Sequence, residues 1–119
     1  MASLGLQYGP YALTNAQVDF QVTRTSPGNY ALGYQQGNTF YVQYVGRSDT
    51  DVKQRLKAHV TAGKYAQFWF DYATSPKAAF EKECQNYHDF GGSQSLDNKM
   101  HPDRPQNTGW KCPRCTIFG

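Results

Sequence analysis

Residues 28–61, "GNYALGYQQGNTFYVQYVGRSDTDVKQRLKAHVT", decide the fold class. Asn29 to Tyr34 and Thr39 to Val45 are rich in Tyr, Val and Phe and read as two strands, with the polar "QQGN" as the hairpin loop between them. The period then changes. Val52, Leu56 and Val60 recur at i, i+4 and i+8, which is the buried stripe of a helix. That helix starts at "SDTD", where Ser48 or Asp49 can cap, runs to about Thr61, and is broken by "GK".

Upstream, "AQVDFQVTRT" alternates Val18, Phe20 and Val22 and is expected to form a strand. Downstream, "YAQFWFDYA" is too aromatic and too alternating for anything but a third strand of the central sheet. Ser75 followed by Pro76 is a cap with proline at the first helical position, opening a second helix to about Asp89. Residues 90–119 carry Gly, Pro and Asn throughout and should be irregular apart from a short helical turn. The order β-β-α-β-α plus a tail predicts one α+β (small α/β) domain over residues 1–119. Its core is a mostly antiparallel, three-stranded central sheet flanked by helices.

Composition sets limits around that core. The chain is mildly basic, +3 with a pI near 8.8, which weakly favours an anionic partner. No run of about 18 apolar residues exists, so no membrane span is expected. The first residues, "MASLGLQYGPYALTNAQ", lack the basic and apolar regions of a Sec-type signal. Three cysteines cannot all pair within the chain, which argues for a reducing compartment or for metal ligation. A cytoplasmic location is expected, or export by a route that uses no such signal. Arg47, Lys53, Arg55, Lys57 and His59 crowd the turn and helix after the hairpin. They are either a solvated helix face or a site built for a phosphate.

"GNY" (Gly28 to Tyr30) and "YVG" (Tyr44 to Gly46), on adjacent expected strands, resemble the double signature of the GIY-YIG nuclease family. The resemblance covers roughly residues 28–102. It implies an arginine on the following helix, here Arg55 with His59 one turn on, a metal-binding glutamate on a later helix, and an asparagine downstream that orders the site, here Asn98 in "LDNKMHP". Asn29 replaces the usual apolar middle residue. It points away from Tyr30 and should alter edge packing more than chemistry. Arg47 stands where related enzymes often carry lysine; it keeps the charge in a different shape.

"AFEKEC" offers two glutamates. At about 100° per residue, Glu83 falls roughly 60° from Phe80 and about 40° from Tyr87, inside the apolar stripe, whereas Glu81 lies at its other edge. A carboxylate in a core-facing stripe must be paired or metal-bound. Glu83 is therefore the expected ligand, and pairing with a nearby arginine is the competing expectation. By the same geometry Arg55 and His59 share one flank of their helix, with a solvated Arg55 paired to Asp51 as the alternative.

Phosphodiester hydrolysis needs an activated water, charge relief on the phosphoryl oxygens and a stabilised leaving group. A divalent ion, Mg²⁺ or Mn²⁺, on one carboxylate is expected to act as a Lewis acid. Arg55 is expected to donate two hydrogen bonds to non-bridging oxygens, and Arg47 to add charge. A tyrosine with a pKa near 10 serves as base only if cations favour its phenolate or a second group relays the proton. Tyr44, close in sequence to Arg47, Arg55 and His59, is expected to lie in such a cationic setting, with Tyr30 hydrogen-bonding water or phosphate.

"GWKCPRC" sets Cys112 and Cys115 in a C-x-x-C knuckle, a zinc half-site. Cys84 and His88, at i and i+4 on the second helix, can supply the other half. A structural Zn²⁺ on Cys84, His88, Cys112 and Cys115 would pin the tail and use every cysteine. A free Cys84 with a surface C-x-x-C, or a redox dithiol, are the other readings. His101 can substitute for His88, or line the active site beside Asn98.

The expected function is a metal-dependent endonuclease acting on DNA, with RNA left open. The alternative is a non-catalytic nucleic-acid-binding or scaffold module. Tyr30, Tyr44, Arg55, Glu83 and Asn98 are all present, which favours the enzyme. No second DNA-binding domain is expected in 119 residues, so the chain would cut with little sequence preference, recognise a structure, borrow specificity from a protein partner, or act as a toxin-like effector.

Overall fold

The structure, a computed structural model, describes residues 5–98, 101–102 and 108–113. In chain order the elements are β1 (Tyr8–Ala12), α1 (Asn15–Gln21), β2 (Gly28–Gln36), β3 (Thr39–Ser48), α2 (Val52–Ala62), β4 (Gln67–Tyr72) and α3 (Pro76–Asp89), then a 3-10 turn at Gly92–Gln94. The strands form one sheet in the order β1-β4-β2-β3, and every neighbouring pair is antiparallel. The expected class holds; the sheet has four strands rather than three.

β2 lies between β4 and β3, and its first six residues are buried. Its side chains alternate between two cores. Tyr30 and Leu32 face α1 and α2 and pack with Val18, Val22, Val52 and Leu56. Ala31 faces the other way, with Val45, Tyr87 and Leu96. Phe68 and Phe70 of β4 complete the first core; fully burying such a side chain stabilises by roughly 1.5–3 kcal/mol. α1 and α2 thus cover one face of the sheet and α3 the other.

The local signals behave as their chemistry requires. Gly63 ends α2 in the left-handed region at φ 69° and donates its N–H to the His59 carbonyl at 3.1 Å. The cap of α2 is Asp51, which accepts from the Lys53 N–H at 3.1 Å, rather than Ser48 or Asp49. Ser48 instead accepts the N–H groups of Thr50 and Asp51 through its hydroxyl, at 3.2 and 2.9 Å. Ser75 caps α3 and Pro76 opens it, as expected.

Two upstream expectations are corrected. Residues 15–21 are a helix, not a strand: Thr14 caps it, accepting from Gln17 N–H at 3.2 Å. Val18 and Val22 are four residues apart, a spacing that satisfies both the helix and the strand period. Phe20, which only a strand would place beside them, is 75% exposed. The unexpected fourth strand, β1, contains Gly9 and Pro10. Proline lacks a ladder donor, but β1 is an edge strand with an irregularity between Tyr8 and Tyr11, where proline is tolerated.

Asn29 does point away from Tyr30, but on a central strand rather than an edge. It is buried and donates Nδ2–H to the Ala79 carbonyl at 2.9 Å, tying β2 to the first turn of α3. The other edge is β3, and Asp97 and Asn98, after α3, cover part of it. The Asp97 N–H bonds the Gln43 carbonyl at 2.6 Å. Asn98 uses its side-chain amide as a further strand would, donating to the Val45 carbonyl at 2.7 Å and accepting from its N–H at 3.0 Å. Asn98→Ala is expected to lower the unfolding free energy by about 1–3 kcal/mol, since both Val45 groups lose their partner. A wild-type urea midpoint in this variant would show the clip to be idle.

Candidate functional site

Tyr30 and Gly46 are cross-strand partners, and a Cβ at position 46 would land on the Tyr30 hydroxyl. The glycine thereby lets the Tyr30 ring lie across β3 and reach α2. There the hydroxyl meets His59 Nε2 at 2.9 Å. Tyr44, two residues before Gly46, stacks near Tyr30 with centroids 6.4 Å apart and 16° between planes. The His59 ring sits 5.2 Å from one and 5.1 Å from the other. Tyr65, 6.0 Å from Tyr44, extends the cluster and donates its hydroxyl to Asp97 at 2.9 Å. Sequence reading missed Tyr65; its position two residues past the helix-ending glycine was the available signal.

Burial sets the protonation of this group. It holds the Tyr30 phenol well above its usual range, aided by Tyr44 and opposed by Arg55. Burial, with the negative charge of Glu83, also raises Tyr44 against the pull of Arg55. The cationic setting expected to favour a Tyr44 phenolate is thus outweighed. His59 moves the other way: burial, Arg55 and Lys64 all disfavour the imidazolium, so the ring is neutral near pH 7.

The cations of the corner separate in three dimensions. Lys53 and Lys57 reach Asp19 of α1 at 3.4 and 2.6 Å. Arg47 donates Nε–H to Asp49 Oδ1 at 2.9 Å and Nη1–H to Glu83 Oε1 at 2.6 Å, with its guanidinium 5.1 Å over the Phe80 ring. Only Arg55, exposed on α2, and His59 face the tyrosines. Of the two readings of the basic stretch, a phosphate site thus concerns Arg55 and His59, while Arg47, Lys53 and Lys57 pair with carboxylates.

Arg47, Asp49, Thr50, Gln54, Arg55 and Glu83 line a cavity of about 680 Å³. Glu83 lies beside the buried stripe of α3, its side chain 12% exposed, and its partner is the arginine of β3, the competing expectation. Burial pushes its carboxyl upward against the pull of Arg47. Asn98 is not at this cavity; it clips β3, and its contribution to the site runs through Val45, between Tyr44 and Gly46.

A second cluster lies beyond Glu83. One donor atom from each of Cys84, His101 and Cys112 falls within 4.8 Å of the others, a group that could hold a metal ion. His101 takes the place in this group expected for His88, whose Nε2 lies 3.0 Å from His101 Nε2. The fourth expected ligand, Cys115, lies outside the described residues. Phe80, Cys84, Cys112 and Trp110 pack as one apolar cluster around the group. Among the described residues no helix is long and apolar enough to cross a membrane.

No family model, curated protein or solved structure matches this chain.

His59 should titrate by NMR with a midpoint below 6.5. Its folded pKa is depressed, so the unfolded chain takes up the proton first as pH falls. The stability this group contributes is complete above about pH 6.5 and drains as pH falls below it. A midpoint at or above 6.5 would contradict a buried neutral ring.

Proposed function

We propose that the chain is a metal-dependent endonuclease of the GIY-YIG type, hydrolysing phosphodiester bonds in DNA. The observation that supports this reading is the Tyr30–His59 hydrogen bond at 2.9 Å beside Arg55, which also lines the cavity that Glu83 walls. The guanidinium of Arg55 and the carboxylate of Glu83 line the cavity, and the Tyr30 phenol and His59 imidazole lie beside Arg55; together these are group types that phosphoryl transfer to water uses.

Tyrosines kept protonated by burial are donors rather than bases. The lone pair of neutral His59 is the proton acceptor. His59, only partly buried where Tyr30 is fully buried, takes the proton of the attacking water, and the Tyr30 hydroxyl 2.9 Å from Nε2 holds the ring in place. Arg55 holds the non-bridging oxygens through two N–H groups. Arg47, already held by Glu83 and Asp49, positions that carboxylate rather than the phosphate. A divalent ion fits this wall. Glu83 and Asp49 converge on one guanidinium beside open volume, and Mg²⁺ is commonly held by one or two carboxylates with substrate oxygens. Mg²⁺ or Mn²⁺ there would supply Lewis-acid stabilisation of the phosphoryl and leaving oxygens. Zn²⁺ is the metal suited to the separate Cys84–His101–Cys112 group, because two thiolates and an imidazole are borderline-soft donors. Reduced cysteines fit the cytoplasm.

A non-catalytic nucleic-acid-binding or scaffold module is the second reading, favoured by the engagement of Glu83 and Asp49, the carboxylates a metal would need, by Arg47. Plasmid nicking with Mg²⁺ or Mn²⁺ separates the two. Wild type should cut, EDTA should stop it, and Glu83→Gln or Arg55→Ala should lower the rate by about 100-fold or more with the fold retained. Glu81→Ala should cut like wild type. Folded wild type that cuts neither duplex, single-stranded nor branched DNA, nor RNA, would favour the binding module.

A further inference from the structure

We infer that His101, through Nε2, is the imidazole ligand of a structural metal centre with Cys84 and Cys112, and that this centre pins the tail against the helix bearing Glu83. The tautomer follows from the neighbours. His101 Nδ1 lies 2.8 Å from the Pro102 carbonyl, which can only accept, so Nδ1 carries the proton. The lone pair of the neutral ring is then on Nε2, which faces His88 Nε2 at 3.0 Å and belongs to the ring that converges with Cys84 and Cys112. A ligating imidazole held by its other N–H on a backbone carbonyl is the usual arrangement around a bound metal.

The donor set selects the ion. Two thiols and an imidazole within 4.8 Å, both cysteines buried, suit tetrahedral Zn²⁺ and offer little to Mg²⁺ or Ca²⁺. The surroundings exclude water: Phe80, Cys84 and Cys112 are buried together, with Trp110 against them. Donors set against this apolar wall favour a site that stabilises the fold over one that performs chemistry. His88 Nε2 lies 3.0 Å from the same nitrogen; without a bound ion it donates its N–H to that lone pair, and metal binding displaces it.

The three ligands are far apart in sequence and belong to α3 and two tail segments, so one ion joins what the chain leaves separate. Cys84 directly follows Glu83. Trp110 lies 5.8 Å from Phe80, the ring that also carries the Arg47 guanidinium at 5.1 Å. Holding the tail in place therefore supports both partners of the Arg47–Glu83 pair. The metal centre itself stands independently of the nuclease reading.

The test is metal analysis of full-length protein purified without chelator, beside reconstitution with Co²⁺. About one zinc per chain is expected in the wild type, with less than a fifth of that in His101→Gln and at least half in His88→Gln. The cobalt form should show thiolate-to-metal charge transfer and the intense visible bands of tetrahedral coordination, a readout that needs no folded variant. Chelation should raise amide exchange across residues 80–84. A metal-free wild type that also takes up no cobalt overturns the site. Metal kept by His101→Gln but lost from His88→Gln overturns the ligand assignment, and unchanged exchange on chelation overturns the pinning role.

Discussion

The cavity wall depends on one part-buried ion pair. Taking the Glu83 carboxylate and the Arg47 guanidinium out of water costs several kcal/mol each, and only close, well-aligned contact offsets it. Here the contact is 2.6 Å, Asp49 satisfies a second guanidinium N–H, and Phe80 supplies a ring face. The pair joins β3 to α3 at the point where the hairpin turns into α2. It also decides what Arg47 can do. A guanidinium held between two carboxylates presents little net charge, so the cavity is less basic than its sequence, and Arg55 is left as its main cationic contact for an anion.

The other side of the site follows from a missing side chain. Without a Cβ at Gly46, Tyr30 crosses β3 and joins His59 while remaining fully buried. That burial carries a chemical consequence. It raises both phenols and lowers the imidazole, so acid–base capacity near neutral pH moves from tyrosine to histidine. The same desolvation that packs the core thereby selects the group able to take a proton.

The chain after α3 has no periodic apolar pattern with which to bury itself, and it is held by side-chain chemistry instead. Asn98 substitutes for a neighbouring strand on the edge of β3. Cys84, His101 and Cys112 gather at the other end, against Phe80 and Trp110. The first anchor covers part of an edge that would otherwise invite pairing with another chain. Both bear on the site, one through the strand of Tyr44 and the other through the helix of Glu83.

What the sequence by itself determined lies within a few residues of each signal. The hairpin, the Val52–Leu56–Val60 stripe, the glycine stop at 63 and the Ser75–Pro76 start of α3 are all local, because caps and periods act over one helical turn or one strand pair. The placement of Glu83 beside a buried stripe was legible for the same reason. Where a local pattern satisfied two periods at once, as Val18 and Val22 do, the tertiary contacts of α1 chose between them, and β1 was masked by a proline that only an edge position tolerates. Only the tertiary structure decided which charge meets which. Arg47 and Glu83 are 36 residues apart, Val45 and Asn98 are 53 apart, and Lys57 faces Asp19 across two helices. No periodicity encodes such pairings, since they depend on how the layers stack. The protonation of Tyr30, Tyr44 and His59 belongs to the same class, because desolvation is a property of everything packed around a group and not of its neighbours along the chain.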